Sequence, residues 1–203
     1  RPELLPRKFQ SMKAGSSVEN ANVGQRTFRV MQFNCLAEGL SAGPEKKPPF
    51  EAKQASSFGG FDAVPDPSSV FCFELRRWGL IDEIQRISPD LLTLQEVDHF
   101  GDFFEPVLKQ MGYTGLFAPK HNSPCLGFGY YSDGVAVFWR DTAFARVERH
   151  APVVATHVHS EKVPVCAVVL HHKQSGQDVA LASTHLKSKM GEDNETQRSE
   201  QIK

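Results

Sequence analysis

Apolar residues recur along this chain with two different periods, and the switches between them mark out its elements. Phe28-Arg29-Val30-Met31-Gln32-Phe33-Asn34 alternates and closes on Asn34, which predicts a strand with a polar residue delivered at its end. Between Glu74 and Ile87, Trp78, Leu80, Ile81, Ile84 and Ile87 recur at helical spacing, and Pro89 stops the pattern. Leu91-Leu92-Thr93-Leu94 then reads as a buried strand that ends at Glu96. A second helical stripe, Phe103, Phe104, Val107, Leu108 and Met111, is closed by Gly112 and leads to a short strand from Tyr113 to Phe117, with Pro106 early in the helix or bending it. Gly134 to Trp139 and Pro164 to Leu170 have the make-up of buried strands. The latter is expected to pair with Asp178 to Ser183 across Gln174-Ser175-Gly176, a hairpin that delivers Thr184 and His185. Helices interleaved with strands, one pair of them a hairpin, predict an α/β (α+β) fold in which a mixed sheet is packed by helices.

Two stretches fall outside these patterns. Residues 1–25 mix Pro, Ser, Gly, Asn and both charges, which predicts a flexible leader before a folded part starting near Arg26. Residues 41–69 are rich in Pro, Gly, Ser and Lys, and a mostly disordered insert is expected there. At 203 residues, 40% hydrophobic and 23% charged, the chain can bury one sizeable core. A formal net charge of -1 excludes a global attraction to nucleic acid, so any phosphate-binding surface has to be local. No run of about 18 apolar residues is present, and no membrane span is expected. Cys35, Cys72, Cys125 and Cys166 form no C-x-x-C pair; they read as reduced core thiols, pointing to an intracellular setting, cytoplasmic or mitochondrial.

Three apolar strands thus end in polar residues, namely Asn34, Glu96 and His185. Strand ends in helix-covered sheets are where ligands gather, because rigid strands hold side chains around one crevice. Glu96 is the sharpest of the three. A carboxylate beside a core costs several kcal/mol unless a cation, a metal or several donors compensate it, which makes Glu96 a metal-ligand candidate. The set joins a carboxylate for a hard cation, an amide to orient a phosphate or water, and an imidazole to stabilise charge on a phosphoryl oxygen. Asp98 reads as structural or as a support behind the site residues, and Asp133-Gly134 as a turn feeding a strand. His157 and His159 share one strand face, but no third ligand is visible and a plain edge strand is the better reading.

Five motifs in order resemble the exonuclease-endonuclease-phosphatase superfamily. They are Arg29-Val30-Met31-Gln32-Phe33-Asn34-Cys35-Leu36-Ala37, Leu94-Gln95-Glu96-Val97-Asp98, Phe117-Ala118-Pro119-Lys120, Ser132-Asp133-Gly134-Val135-Ala136 and Thr184-His185-Leu186-Lys187. The resemblance implies a two-sheet β-sandwich flanked by helices and a metal-dependent phosphohydrolase. Glu96 matches its Mg2+-binding glutamate, Asn34 the asparagine that orders metal, water and phosphate, and His185 the histidine that hydrogen-bonds the reacting phosphoryl group. Lys120 and Lys187 match basic residues that grip nucleotide phosphates; Lys189 stands where the pattern has Arg, keeping the charge but losing the planar two-donor fork. Within the superfamily the implied substrate is NADP(H), losing its 2′-phosphate to give NAD(H). Two alternatives stand beside it, a 3′ exoribonuclease acting on poly(A) RNA and a non-catalytic nucleotide-binding piece. The later Gly-Asp-Phe-Asn and Ser-Asp-His segments of the superfamily do not occur in these residues, so they represent the N-terminal portion of such a domain, and on their own they are expected to be inactive.

Overall fold

The fold is seen in a computed structural model that describes residues 27–41, 67–155, 163–187 and 190–201. The first sheet contains β1 (Val30–Asn34), β2 (Leu91–Val97), β3 (Tyr113–Pro119) and β4 (Gly134–Arg140) in the order β1-β2-β4-β3. β1 and β2 run parallel, and β4 is antiparallel to both its neighbours. A parallel pair needs a crossover. The stretch between β1 and β2 includes α1 (Glu38–Ser41), α2 (Pro67–Val70) and α3 (Phe73–Ile87). Every residue of β2 except Glu96 is buried, which is why its sequence is a continuous apolar run instead of an alternation.

The two faces of this sheet meet different partners. Leu92, Leu94, Ala136 and Phe138 pack with Ile81 and Ile84 of α3 and Leu108 of α4 (Glu105–Gln110). Leu91, Val135, Val137 and Trp139 pack instead with Cys166, Val168, Leu170 and Leu181 of the second sheet. That sheet is centred on β7 (Val165–His172), which pairs antiparallel with β5 (Phe144–Arg146), β6 (Val153–Ala155) and β8 (Gln177–Thr184). The result is the two-sheet sandwich flanked by helices that the family resemblance implies, where the apolar pattern alone predicts one mixed sheet, and β8 lies over β2 and β4.

Several elements depart from their predicted form. The stripe at 103–111 opens with a π-helical turn, Phe100–Phe104, in which the Phe104 N–H reaches back to the His99 carbonyl. Pro106, in the first turn of α4, has no N–H for the Asp102 carbonyl, so the ordinary ladder cannot begin earlier. The margins of the expected 41–69 insert are helical, at Ser41 and at Pro67–Val70; residues 42–66 lie outside the described residues, as do the leader and His157 and His159. β5 and β6 are too short for alternation to reveal, and α5 (Glu192–Gln201) buries no residue and carries no apolar stripe. The four cysteines are unpaired thiols. Burial pushes Cys35 and Cys125 up to about 12 and Cys166 up to about 11, so these three are inert core groups. No described helix is long and apolar enough to cross a membrane.

Candidate metal and phosphoryl site

A β-bulge creates the position of Glu96. On β4, Val135 stands opposite Gln95 and Gly134 opposite Val97, leaving Glu96 as the extra residue. Its φ is +53°, in the left-handed region that costs a non-glycine residue about 1–2 kcal/mol. The kink lets Leu94 and Val97 both serve the helix-side core and Gln95 face the other sheet, so Glu96 is released from both faces. Its side chain remains only 15% exposed.

Asn34 comes from the neighbouring parallel strand, where it stands opposite Gln95. Its Nδ2 donates to Glu96 Oε1 at 2.7 Å, and its Oδ1 accepts the Leu36 N–H at 2.9 Å. The second bond fixes which end of the amide faces the carboxylate. His185 follows β8 on the other sheet, and its Nε2 stands 3.7 Å from Glu96 Oε1. Residues separated by 62 and 89 positions in sequence therefore converge on one carboxylate oxygen. Glu96 Oε2 makes no hydrogen bond or ion pair with any described residue.

The segment after Asn34 is held from beneath. Leu36 has a φ of +56°. The half-buried Arg76 guanidinium donates to the Cys35 carbonyl at 2.6 Å and to that of Leu36, while the Gly39 N–H donates to Asp98 Oδ2 at 3.1 Å. Burial raises the Asp98 carboxyl above its ordinary range and lowers Arg76, and the charge of each opposes the other's shift. His99 stacks on Phe73 with ring centroids 4.0 Å apart and bonds Asp102 at 2.7 Å and Glu38 at 3.1 Å. Asp98 thus braces the segment after Asn34. Arg76 and His99 were not anticipated, because nothing in a helical stripe or a strand end marks a cation that caps backbone carbonyls.

Lys120 directly follows β3, its backbone N–H bonded to the Asp133 carbonyl at 2.7 Å; Asp133 is buried and accepts from the Ser123 hydroxyl, in keeping with a turn. Lys187 lies two residues past His185, its backbone clamped by Gln201 at 3.0 Å and Arg198 at 2.9 Å of α5. Neither ammonium makes a hydrogen bond or ion pair to a described residue. Lys189 lies outside the described residues. A cavity of about 430 Å³ opens beside the Pro119–Lys120 strand end, walled by the stacked Phe100 and Phe117 with Tyr131 and Asp102.

Among the described residues no three His, Cys, Asp or Glu side chains gather to hold a metal ion. The donors present are one carboxylate with an unengaged oxygen and one amide oxygen. That hard and sparse set fits Mg2+, which keeps several of its waters, and does not fit a structural zinc site.

Two helix-flanked sheets with a carboxylate, an amide and an imidazole at their strand ends define a class. A model of the Endonuclease/Exonuclease/phosphatase family matches residues 31–181, and the chain belongs to that family. Nocturnin of Xenopus laevis is 32% identical over 193 residues, covering 94% of this chain and 45% of that protein. The human nocturnin catalytic domain with bound sulfate anion superposes with a TM-score of 0.64 at 29% identity, over 86% of this chain and 56% of that one. Carbon catabolite repressor protein 4 homolog 1 of Arabidopsis thaliana is 38% identical over a shorter stretch of 86 residues, 41% of this chain and 14% of that protein. The chain spans under half the length of the nocturnin it matches. It is nocturnin-like in sequence and fold, and a member of a hydrolase family.

Proposed function

We propose that the protein is a Mg2+-dependent phosphohydrolase that removes the 2′-phosphate of NADP+ and NADPH, leaving NAD+ and NADH, in the cytoplasm or the mitochondrion. The observation that carries the reading is the convergence of Asn34 and His185 on Glu96, with two lysine heads left unpartnered by the described residues. The sulfate named with the human nocturnin catalytic domain supports it, since sulfate is a tetrahedral dianion like a phosphate monoester.

In this reading Glu96, through the carboxylate oxygen that no described residue engages, and Asn34 would hold the cation, which would supply charge neutralisation at phosphorus. Asn34 fixes the carboxylate rotamer. His185 Nε2 donates to a phosphoryl oxygen as charge builds there, and Lys120, Lys187 and Lys189 hold the remaining phosphate oxygens in line. Water adds to phosphorus, the P–O2′ bond breaks, and inorganic phosphate and the free 2′-hydroxyl leave. The acidic group that takes the proton from water is assigned, by the resemblance, to a Gly-Asp-Phe-Asn segment absent from these 203 residues, so turnover is proposed for a protein that carries it.

The likeness to the carbon catabolite repressor homolog favours a second reading, a 3′ exoribonuclease on poly(A). Single-strand binders use an extended basic groove with stacking aromatics. Here the net charge is -1 and the aromatic-walled cavity of about 430 Å³ is of a size for one small ligand, which favours a lone nucleotide. Side-by-side assays of the full-length protein on NADPH and oligo(A) decide between them. Mg2+-dependent phosphate release from NADPH, lost in Glu96→Ala, is expected; preferential shortening of the RNA would sink the phosphatase reading.

A further inference from the structure

Between the two sheets the buried surface is mostly apolar, lined by Leu91, Val135, Val137, Cys166, Val168 and Leu181. Gln95 interrupts it. Its side chain is 6% exposed, and its Nε2 donates to the hydroxyl of Ser183, itself 4% exposed, at 3.0 Å across the interface. Its Oε1 accepts from Gln32 Nε2, and its backbone carbonyl accepts the Cys35 N–H at 2.9 Å. A buried amide costs free energy against a hydrocarbon of equal size unless all its bonds are made, and when they are made it specifies one arrangement of the groups it joins.

The three members of this chain each stand one or two residues before a residue of the candidate site. Gln32 is two residues before Asn34, Gln95 is one before Glu96, and Ser183 is two before His185. Asn34 and Glu96 belong to one sheet, whereas His185 follows the other, and apolar packing alone resists sliding of one sheet over its neighbour only weakly in direction. The Gln95–Ser183 bond is directional and joins the two strands that carry Glu96 and His185.

We infer that Gln95 is a positioning residue: through Ser183 it locks the register of β8 over β2 and thereby sets the separation of His185 from Glu96. The consequence for rate rests on the phosphohydrolase reading; the consequence for geometry does not. Ser183→Ala deletes the Gln95–Ser183 bond between the sheets without replacing any site residue, and Gln95→Met keeps the volume of the side chain. Val168→Ala serves as the control, since it removes a buried contact on the same interface without touching the hydrogen-bonded chain.

Two measurements on the full-length protein test this. The first places Mn2+ at the Glu96 site and reads the paramagnetic broadening of the His185 ring protons by NMR, which falls with the inverse sixth power of distance. The broadening drops severalfold in Ser183→Ala and Gln95→Met and holds in Val168→Ala; equal broadening in all four proteins, or an equal drop in the control, overturns the proposal. If wild type binds no Mn2+, the metal reading fails by itself, and the His185 ring signals of the metal-free protein carry the test: they move in the two relay variants and stay in Val168→Ala, or the proposal falls. The second measurement is kinetic. Ser183→Ala lowers kcat by about 10–100-fold with KM within about twofold, as a misplacement of about 1 Å does. In a His185→Ala background the same substitution costs nothing further; an equal loss in both backgrounds marks Ser183 as merely structural and overturns the inference.

Discussion

Asn34 Nδ2 donates to Glu96 Oε1 at 2.7 Å across a parallel strand pair, and the Leu36 N–H at 2.9 Å holds the other end of the same amide. The carboxylate therefore has one oxygen committed and one available. Removing the amide lets Glu96 turn away from the position in which a cation would meet it. Asn34→Ala is expected to weaken Mn2+ binding by about 10–100-fold, the usual loss when a ligand's orienting partner is removed. Titration calorimetry with Mn2+ checks it, and unchanged affinity would remove Asn34 from the site.

Glu96 occupies a backbone conformation that favours glycine, so its replacement separates stability from function. Glu96→Gly relieves the left-handed strain at φ +53° and is expected to leave thermal stability equal or higher by up to about 1 kcal/mol. Cation binding should vanish in the same variant. A stable fold without cation binding identifies strain kept for a purpose, whereas a loss of several kcal/mol would show that the carboxylate is a structural group.

The strands that carry the site were legible because each is an apolar or alternating run that stops at a polar residue, and Asn34, Glu96 and His185 do meet. The bulge was not legible. Hydropathy marks Glu96 as the end of a strand, yet β2 continues through Val97, and only the pairing with β4 reveals the extra residue. Gln95 did leave a signal, a lone amide inside an apolar run, but whether such a side chain finds partners depends on β8, which arrives 88 residues later in sequence. Arg76 and His99 were missed for a related reason. Their partners are backbone carbonyls and carboxylates brought near by the crossover, and no periodicity encodes them.

Lys120 and Lys187 present ammonium groups that no described residue neutralises. A charge-assisted bond to a phosphate oxygen contributes about 1.5–3 kcal/mol, so Lys187→Ala should weaken sulfate or phosphate binding by about 10–100-fold, and Lys120→Ala by a similar factor. Both effects should shrink as salt is raised. Anion titration at two ionic strengths reads this directly, and a loss below twofold in both variants would make these lysines solvated surface charges.

His99 links the loop after Asn34 to the π-helical turn. Burial disfavours its charge, but Asp102, Asp98 and Glu38 around the ring outweigh that, so its pKa lies above the ordinary 6.5. A histidine raised in the folded state contributes stability that is fully present below its unfolded pKa of about 6.5 and is lost as pH climbs through the folded value. The Tm advantage of wild type over His99→Gln should thus be largest at and just below about pH 6.5 and should decline on the alkaline side. A difference that grows with pH would contradict the assigned charge.

Arg76 makes the strongest single demand on the segment that carries Asn34. Its half-buried guanidinium bonds the carbonyls of Cys35 and Leu36 and adds a counter-charge to Asp98. Lysine can serve one of these oxygens well but cannot span both in a plane. Arg76→Met leaves the Cys35 and Leu36 carbonyls unpaired and removes one of the groups that compensate Asp98, each orphaned acceptor costing about 1–3 kcal/mol, so a loss of about 2–6 kcal/mol is expected. Arg76→Lys should recover part of that stability yet leave the Leu36 turn loose, so that Mn2+ affinity stays below wild type when the fold is restored. Chemical denaturation paired with Mn2+ titration separates the two effects: affinity that returns in step with stability would mean Arg76 supports the fold alone, and affinity that lags behind it would show that the guanidinium aims Asn34 at Glu96.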